Sequence, residues 1–402
     1  MTGRVFLPAV LGGGVWAATG VLALEPGQVR INIGTESRQA SAGVVGLVRD
    51  EYGGRMLRHL DGINVVTFEI SRAAFQRLRK PGGLRGLSDF VELDQRARIP
   101  EDLEFAEVRG QEPGSAGSPD DPGFPSQWGV ECVDLRAAWD RFGYPALSVR
   151  VAILDTGVDT DHPDLVDRLV LEDAWDFVNE DPSPEDDHGH GTHCAGIAAA
   201  ASDNGEGIAG VVGAQVLPVK VLDRDGSGYW SDVAAGIDWA VAHGAHVISL
   251  SLGGGYDSSV KRAVDAALEA GVLVFAAAGN HGTSVPNYPA SLTSAIGVGA
   301  LRSCEKLALY SARGFGDHEV KGNVEIVAPG SDIYSTWLGG SYASLSGTSM
   351  ATPMAAGIGA GFMAITGRSA GRVRLLIQRT ADPLGADSKF GYGRIDAWPL
   401  VD

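Results

Sequence analysis

Short apolar runs alternate with helical stretches through the larger, C-terminal part of the chain. The runs typical of buried strands are Val149–Leu154, Val216–Val221, His246–Leu250 and Val272–Ala276. Between them, Ser231–Ala242 and Ser258–Ala270 place apolar residues at helical spacing. Apolar strands that alternate with helices are typical of a parallel sheet covered on both faces. We therefore predict a doubly wound, mostly parallel α/β domain over residues 122–402, with its site beyond the carboxyl ends of the strands.

A different order of elements precedes this domain. Strand-forming residues and helical spacing predict five elements in the order β-α-β-α-β: Val29–Ile33, Ala42–Leu60, Val65–Ile70, Ser71–Leu78 and Phe90–Leu93. This order predicts a small α+β domain over residues 25–100.

Two further segments have compositions of their own. Residues 101–121 are polar and acidic and contain Gly and Pro, which predicts an exposed linker open to proteolysis. Val5–Leu24 carries no charge, follows Arg4 and ends in the small-residue pattern Val21-Leu-Ala. We interpret residues 1–24 as a secretory signal peptide. A membrane anchor, which the length permits, and an ordinary buried segment or a misplaced start codon are the alternatives.

Composition narrows the class of protein. The chain has 402 residues, 44% of them hydrophobic, and a formal net charge of −18. Such a negative field repels nucleic acids, so we expect no nucleic-acid partner. The cysteines Cys132, Cys194 and Cys304 are too few for a disulfide scaffold. A single bridge between Cys132 and Cys304 stays open, because the sequence does not place their sulfur atoms.

Three motifs carry the residue types of nucleophilic chemistry. Asp155 follows a predicted strand, and Ser349 opens a helix of small residues. His190 lies in a cluster of three histidines between His188 and His193. Singly, these residues are consistent with a turn carboxylate, a helix cap and a metal cluster. Together they meet the needs of an activated serine, whose hydroxyl requires an imidazole base that a carboxylate orients.

The motifs resemble those of the subtilisin-like serine proteases, or subtilases. Asp155-Thr-Gly, His190-Gly-Thr-His and Gly347-Thr-Ser-Met-Ala-Thr-Pro occur in the order of that family. The form His-Gly-Thr-His-Cys is similar to the proteinase K branch. The resemblance spans residues 124–402 and implies an endopeptidase that cleaves peptide bonds through an acyl-enzyme, with Asp155, His190 and Ser349 as its catalytic triad.

The resemblance also implies an oxyanion donor and a peptide cleft. Asn280, in Ala276-Ala-Ala-Gly-Asn, matches the family residue that donates to the oxyanion. The floor of the primary pocket maps onto Asn287, where subtilisin has the smallest residue. The substrate-binding positions that the resemblance implies are Gly226, Ser227, Gly228, Ser251, Leu252, Gly253, Ala277, Gly279 and Asn287.

A calcium site is implied in the same way. Ser202–Ile208 resembles the calcium-binding loop of the family, and the matching ligands are Asn204, Asp164 and Asp121. Oxygen-rich loops suit this hard cation. We expect structural Ca²⁺ here, and a solvated acidic turn is the alternative.

The N-terminal domain resembles the inhibitory propeptide of the family. Glu51–Leu57 and Phe90–Gln95 carry this likeness. It implies a zymogen that processes itself by cleavage within the linker at 101–121. The stretch after Gln95 is then expected to lie in the active site as a product-like strand.

The expected protein is secreted and monomeric, and it acts on polypeptides. Its other partner is its own propeptide, without nucleic acid or stable membrane association. A catalytically silent binding module of the same fold is the first alternative. A metal-dependent hydrolase built on the cluster His188–His193 is the second.

Overall fold

The computed structural model describes residues 24, 26–84, 86–100, 119–142, 148–314 and 322–397. Nearly all of the predicted signal peptide and most of the predicted linker lie outside these ranges. The chain divides into two compact units, Met1–Asp94 and Gln95–Asp402, called here the N-terminal and C-terminal units.

The N-terminal unit is an antiparallel sheet with two helices. Its elements are β1 (Gln28–Gly34), α1 (Arg38–Tyr52), β2 (Arg55–Leu60), β3 (Val65–Ser71), α2 (Arg72–Leu78) and β4 (Phe90–Leu93). The strand order is β2-β3-β1-β4, with Ile31 of β1 opposite Phe68 of β3. Both side chains are fully buried, together with Val44 and Val48 of α1.

The predicted helix Ala42–Leu60 is wrong beyond residue 52. Gly53 ends α1 with a left-handed φ of 64°, a conformation that glycine adopts without steric cost. A Cβ at Gly54 would lie 2.6 Å from a Val48 methyl group, so the turn needs glycine there as well. Residues 55–60 then pair with β3, which gives the order β-α-β-β-α-β.

The C-terminal unit contains the remaining elements. Its strands are β5 (Arg96–Arg98), β6 (Arg150–Asp155), β7 (Trp175–Asp176), β8 (Gln215–Lys220), β9 (Ser227–Tyr229), β10 (Val247–Leu250), β11 (Leu273–Ala277), β12 (Ile296–Ser303), β13 (Lys306–Leu307), β14 (Ile326–Pro329), β15 (Ile333–Trp337) and β16 (Ser341–Leu345). Its α-helices are α3 (Trp128–Cys132), α4 (Leu135–Phe142), α5 (His190–Ala199), α6 (Trp230–Ala242), α7 (Ser258–Glu269), α8 (Thr348–Thr366), α9 (Ala370–Thr380) and α10 (Asp387–Phe390).

The central sheet confirms the predicted α/β fold. Its strands follow the order β13-β12-β11-β10-β6-β8-β7, and β14 also pairs with β12. All of these pairings are parallel except that of β13. Ile153 belongs to the apolar core that contains residues of α5 and α8, whereas the next side chain, Leu154, faces Gly236 of α6. Since successive strand residues point to opposite faces, helices cover the sheet on both sides.

Three neighbouring strands end at one place. β6 ends at Asp155, β10 ends just before Ser251, and β11 ends three residues before Asn280. Because parallel strands share their carboxyl edge, the sheet brings these residues to a common site.

Helix α8 is the longest described helix and is largely buried. Within the described residues, no helix taken alone has both the length and the apolar composition needed to cross a membrane. Helices α8 and α9 pass that test only as a pair, bent by 116°.

Candidate active site

Asp155 and His190 form a hydrogen-bonded pair at the carboxyl edge of the sheet. Oδ1 of Asp155 accepts the Thr156 N–H at 2.8 Å and lies 2.7 Å from Nδ1 of His190, the first residue of α5. The Asp155 side chain is 1% exposed and that of His190 is fully buried. The carboxylate therefore favours a proton on Nδ1 and leaves Nε2 available as a base.

The charge of Asp155 controls the protonation of His190. Burial alone opposes an imidazolium ion, but the adjacent carboxylate raises the pKa of His190 well above its ordinary value. Nε2 has no hydrogen-bond partner among the described residues. An imidazole held in this way is suited to accept a proton from a hydroxyl and to return it to a leaving group.

A second buried carboxylate, Asp186, holds the loop before His190. Its Oδ1 accepts the N–H groups of His188 and Gly189, both at 2.9 Å. Its Oδ2 accepts the N–H and the hydroxyl of Thr192 at 2.9 and 2.6 Å. Although burial disfavours its charge, these hydrogen bonds lower the pKa of Asp186. Sequence reasoning missed Asp186, and its place just before a helix start was the available signal.

The histidines of the cluster do not converge on a common metal site: within the described residues, the candidate ligand group that contains one of them joins His190 to Asp155 and Cys194. His193 Nε2 hydrogen-bonds to the carbonyls of Ile333 and Ala343, each at 3.1 Å. Burial lowers the pKa of His193 to about 3 and keeps it neutral. In the described ranges, no group of three ligand atoms near enough to share an ion includes His188 or His193. This geometry disfavours the metal-hydrolase alternative.

Ser349 lies in the first turn of α8, next to the start of α5. The Cys194 thiol donates to the Ser349 carbonyl at 3.5 Å, and its Sγ is 4.0 Å from His190 Nδ1. The Ser251 hydroxyl donates to the same carbonyl at 2.8 Å. The Ser349 hydroxyl donates to the Ser251 carbonyl at 3.4 Å and not to His190. The structure thus gathers the three predicted triad residues, and forms the link between Asp155 and His190 but not the one to Ser349.

Cys194 acts as a packing residue between these two helices. It is fully buried, and burial raises the pKa of its thiol. A thiol that stays protonated is a weak nucleophile. The arrangement therefore leaves the Ser349 hydroxyl as the nucleophile candidate.

Asn280 has a fixed amide. Its Oδ1 accepts both the N–H and the hydroxyl of Thr348 at 2.9 Å, which assigns the donor end of the amide to Nδ2. Nδ2 donates to the Pro100 carbonyl at 3.5 Å. The Asn280 amide therefore lies beside the positive N-terminal end of α8 and donates to a carbonyl oxygen, that of Pro100. An oxyanion site requires donors arranged in this way.

An extended segment of the chain lies in the cleft beside this site. Strand β5 pairs antiparallel with β9, which contains two of the predicted substrate-binding residues, Ser227 and Gly228. Ile99 N–H donates to the Gly226 carbonyl at 2.9 Å. On the other edge, Arg98 and Gly253 exchange two backbone hydrogen bonds of 2.8 and 3.0 Å. The two predicted wall segments therefore hold an extended backbone between them.

The side chain of Asn287, the predicted floor of the primary pocket, is held in place by hydrogen bonding. Asn287 Nδ2 donates to the Ala277 carbonyl at 2.9 Å. A Cβ at Gly253 would lie 2.3 Å from Asn287 Nδ2, and one at Gly279 would lie 3.4 Å from the same side chain. Asn287 therefore fills space between two glycine walls, which narrows the pocket. The predicted wall residue Leu252 is fully buried.

The predicted calcium ligands lie together around one loop. Asp121 accepts the N–H groups of Asp203 and Asn204 at 2.9 and 3.2 Å, and Asn204 Nδ2 donates to Asp164 at 3.1 Å. Burial raises the pKa of Asp121, and it raises that of Asp164 to about 6, with the Asp121 charge adding to the effect. Carboxylate and amide oxygens are donors that Ca²⁺ prefers, so the residue types fit the ion. In this structure the Asn204 Oδ1 accepts the Glu206 N–H at 2.9 Å, so the side chain would have to turn to offer its oxygen to a cation.

Comparisons with known proteins agree with this geometry. The sequence model of the Subtilase family matches residues 147–393, more than half of the chain. That stretch contains Asp155, His190, Asn280 and Ser349.

Individual relatives cover most of the chain. Thermitase from Thermoactinomyces vulgaris is 46% identical over 288 residues, which is 71% of this chain and 99% of thermitase. Subtilisin BL from Lederbergia lenta is 42% identical over 273 residues, 67% of this chain and 96% of that protein. The thermostable alkaline protease of Halalkalibacterium halodurans is 33% identical over 353 residues, 87% of this chain and 86% of its own length.

Proposed function

Because this chain belongs to the subtilase family of serine proteases, we propose that it is an endopeptidase with the triad Asp155, His190 and Ser349. The observation that carries the proposal is the buried hydrogen bond of 2.7 Å between Asp155 and His190, beside the start of α8. Burying two ionisable groups costs stability, and such pairs are concentrated at catalytic sites. A catalytically silent binding module has no need of this pair.

In the proposed reaction, Ser349 Oγ attacks the carbonyl carbon of the scissile peptide bond. Nε2 of His190 takes the hydroxyl proton, and Asp155 stabilises the imidazolium that forms. His190 then gives the proton to the leaving amine, which departs and leaves an acyl-enzyme on Ser349. Water, activated by the same imidazole, hydrolyses the acyl-enzyme.

The negative charge of the tetrahedral intermediate falls on the former carbonyl oxygen. We assign its stabilisation to Asn280 Nδ2 and the Ser349 backbone N–H. The hydrogen bonds from Thr348 to Asn280 support this role, because they orient the amide before substrate arrives. Donors fixed in advance lose nothing to reorganisation during the reaction.

Substrate recognition is proposed to rely on the peptide backbone. Residues 226–228 and 251–253 would pair with a substrate as they pair with Arg96–Ile99 in this structure. Backbone pairing accepts many sequences, so we expect broad specificity. Asn287 would limit the length of the side chain that enters the primary pocket.

Purified active protein is expected to hydrolyse casein, because backbone pairing admits an unfolded polypeptide. A fluorophosphonate should abolish the activity, since it phosphonylates an activated serine with loss of fluoride. A metal-dependent hydrolase would behave differently and would lose its chemistry at once in chelator. Casein hydrolysis that survives stoichiometric fluorophosphonate would contradict the proposal.

We propose that residues 25–100 are an inhibitory propeptide, and that the first maturation cut falls between Pro100 and Glu101. The support is the position of Pro100, whose carbonyl lies 3.5 Å from the proposed oxyanion donor Asn280. The preceding residues form an extended strand between the two cleft walls, as the acyl part of a cleaved substrate would.

The first released fragment is therefore expected to end at Pro100 when the full chain is refolded and sampled early by mass spectrometry. Ala97 is fully buried in the cleft strand, so Ala97→Asp should slow this cut at least tenfold. Arg98 is exposed, and Arg98→Ala provides the matched control with a near-normal rate. A first product ending within residues 101–121 would refute the assigned bond.

We further propose that Ca²⁺ is held by Asp121, Asp164 and Asn204. The two carboxylates are 2% and 0% exposed, and their raised pKa values reflect charge that a cation would neutralise. The ion would supply no catalytic chemistry, and its role would be to stabilise the loop over residues 203–208.

Calcium in excess over its Kd is expected to raise the melting temperature of the inactivated enzyme by roughly 5 °C, since binding to the native state alone stabilises it. Asp164→Asn should lose most of this calcium-dependent shift. Asp161→Asn, at an exposed neighbouring position, should retain it. A wild-type melting temperature that is identical in calcium and in chelator would rule out the site.

Export and assembly complete the proposal. We propose that residues 1–24 direct secretion and that the mature enzyme acts outside the cell as a monomer on polypeptides. The support for export is the uncharged segment Val5–Leu24, which follows Arg4 and ends in a small-residue pattern. Assignment to the proteinase K branch stays a prediction.

A further inference from the structure

Two cysteines that are distant in the sequence meet in the C-terminal unit. Cys132 is the last residue of α3, and Cys304 lies in the turn between β12 and β13. Burial, followed by the neighbouring Cys304 thiol, raises the pKa of the Cys132 thiol, which indicates that the two side chains lie beside each other. Cys132 is 2% exposed and Cys304 is half-buried. A disulfide requires such neighbouring side chains, with Cα atoms within about 7 Å and Cβ directions that converge.

The contact is supported by the backbone around it. Arg394 Nη1 donates to the Cys304 carbonyl at 3.2 Å, and the Cys132 thiol is among the groups that raise the pKa of the same guanidinium. Ala397 N–H donates to the carbonyl of Val133, the neighbour of Cys132, at 2.9 Å. One short stretch, residues 394–397, therefore holds both cysteine-bearing segments in place.

We propose that Cys132 and Cys304 form a disulfide bond in the exported protein, which ties α3 to the edge of the central sheet at β12. The oxidant is an external disulfide, and the reaction is thiol–disulfide exchange. Each cysteine thiol loses its proton, the new S–S bond forms, and the external disulfide leaves as two thiols. The inference rests on the proposed export, because disulfides persist in oxidising compartments.

The third cysteine is set apart from this pair. Cys194 is fully buried against His190 and the Ser349 carbonyl, and it contacts no other described thiol. The oxidised chain would therefore carry one bridge and one free thiol.

The bond would be structural and not a redox switch. Burial raises the pKa of Cys132 well above its ordinary value, while Arg394 acts weakly in the opposite direction. A buried, protonated thiol exchanges slowly in the folded protein. Bridging is therefore expected before α3 is packed into place, and reduction of the native protein should require unfolding or strong reductant.

Peptide mapping of the exported protein tests the bond directly. The protein is denatured with iodoacetamide and without reductant, and then digested. We expect one peptide pair linked through Cys132 and Cys304, and alkylation only at Cys194. Alkylation of all three cysteines would overturn the proposal. Casein hydrolysis of the same sample is read separately, so failure of the bridge and failure of the peptidase proposal are distinguishable.

A melting experiment tests the structural role. On fluorophosphonate-inactivated protein, full reduction is expected to lower the melting temperature by roughly 5 °C or more, because the bridge closes a long loop. The double variant Cys132→Ser/Cys304→Ser should melt near the reduced wild type and should not respond to reductant. A wild-type melting temperature that is unchanged after complete reduction would contradict the stabilising role of the disulfide.

Discussion

Ser349→Ala is expected to lower kcat for peptide hydrolysis about 10⁶-fold, the size of the effect of the corresponding change in subtilisin, a member of the same family. The reason is that the other nucleophile candidate described near His190 is the Cys194 thiol, which lies 4.0 Å from Nδ1 and which burial keeps protonated. The rate that remains would come from oxyanion stabilisation and substrate positioning alone. Hydrolysis of a chromogenic peptide measures the loss.

The same variant should also remain unprocessed, because the first maturation cut uses the same nucleophile. Ser369→Ala changes an exposed serine whose side chain caps no helix, and it should mature and cleave normally. If Ser349→Ala protein matures at the normal rate in pure form, then the proposed self-cleavage is incorrect.

Asp155→Asn is expected to lower kcat/KM about 10⁴-fold at neutral pH. The asparagine keeps the size of the side chain but removes the charge that stabilises the His190 imidazolium, and it no longer enforces a proton on Nδ1. The exposed Asp161→Asn provides the matched control, with nearly full activity expected. A decrease of less than tenfold would contradict the role assigned to Asp155.

The pH profile gives an independent view of the same pair. The base must be neutral to accept the serine proton, so activity rises as pH passes the pKa of His190. Because Asp155 raises that pKa, the acidic limb of kcat/KM should lie above the ordinary imidazole value of about 6.5. In Asp155→Asn the limb should move to lower pH. An unchanged limb would show that another group controls it.

The sequence predicted the larger fold because its signals are local. Four strands of the central sheet, β6, β8, β10 and β11, are short apolar runs, and the structure confirms them within one residue at each end. The other strands of this sheet, β7, β12, β13 and β14, were not predicted. The candidate catalytic residues could be identified from the sequence in the same way, since Asp155 ends a strand and Ser349 follows Gly347 at a helix start. A strand end or a helix start depends on a few consecutive residues, so the sequence pattern predicts it.

The residues that hold the catalytic side chains in place were not predicted from the sequence, because their roles depend on contacts between distant segments. Asp186 organises the loop before His190, and Thr348 orients Asn280 across the cleft. For Asp186 the sequence offers only its place just before a helix start, and the role of Thr348 depends on a contact with a residue 68 positions away. The missed strand β2 has a different cause, since helical spacing continued through Gly53 and concealed the left-handed residue that ends α1.

The central claim is that the Asp155–His190 pair activates one hydroxyl, that of Ser349. Its most direct test is to map the fluorophosphonate adduct by mass spectrometry after stoichiometric labelling of the active enzyme. We predict a single adduct on Ser349, formed at least a thousandfold more slowly in Asp155→Asn. An adduct on any other residue, or labelling of Ser349 at the same rate in both proteins, would contradict the claim.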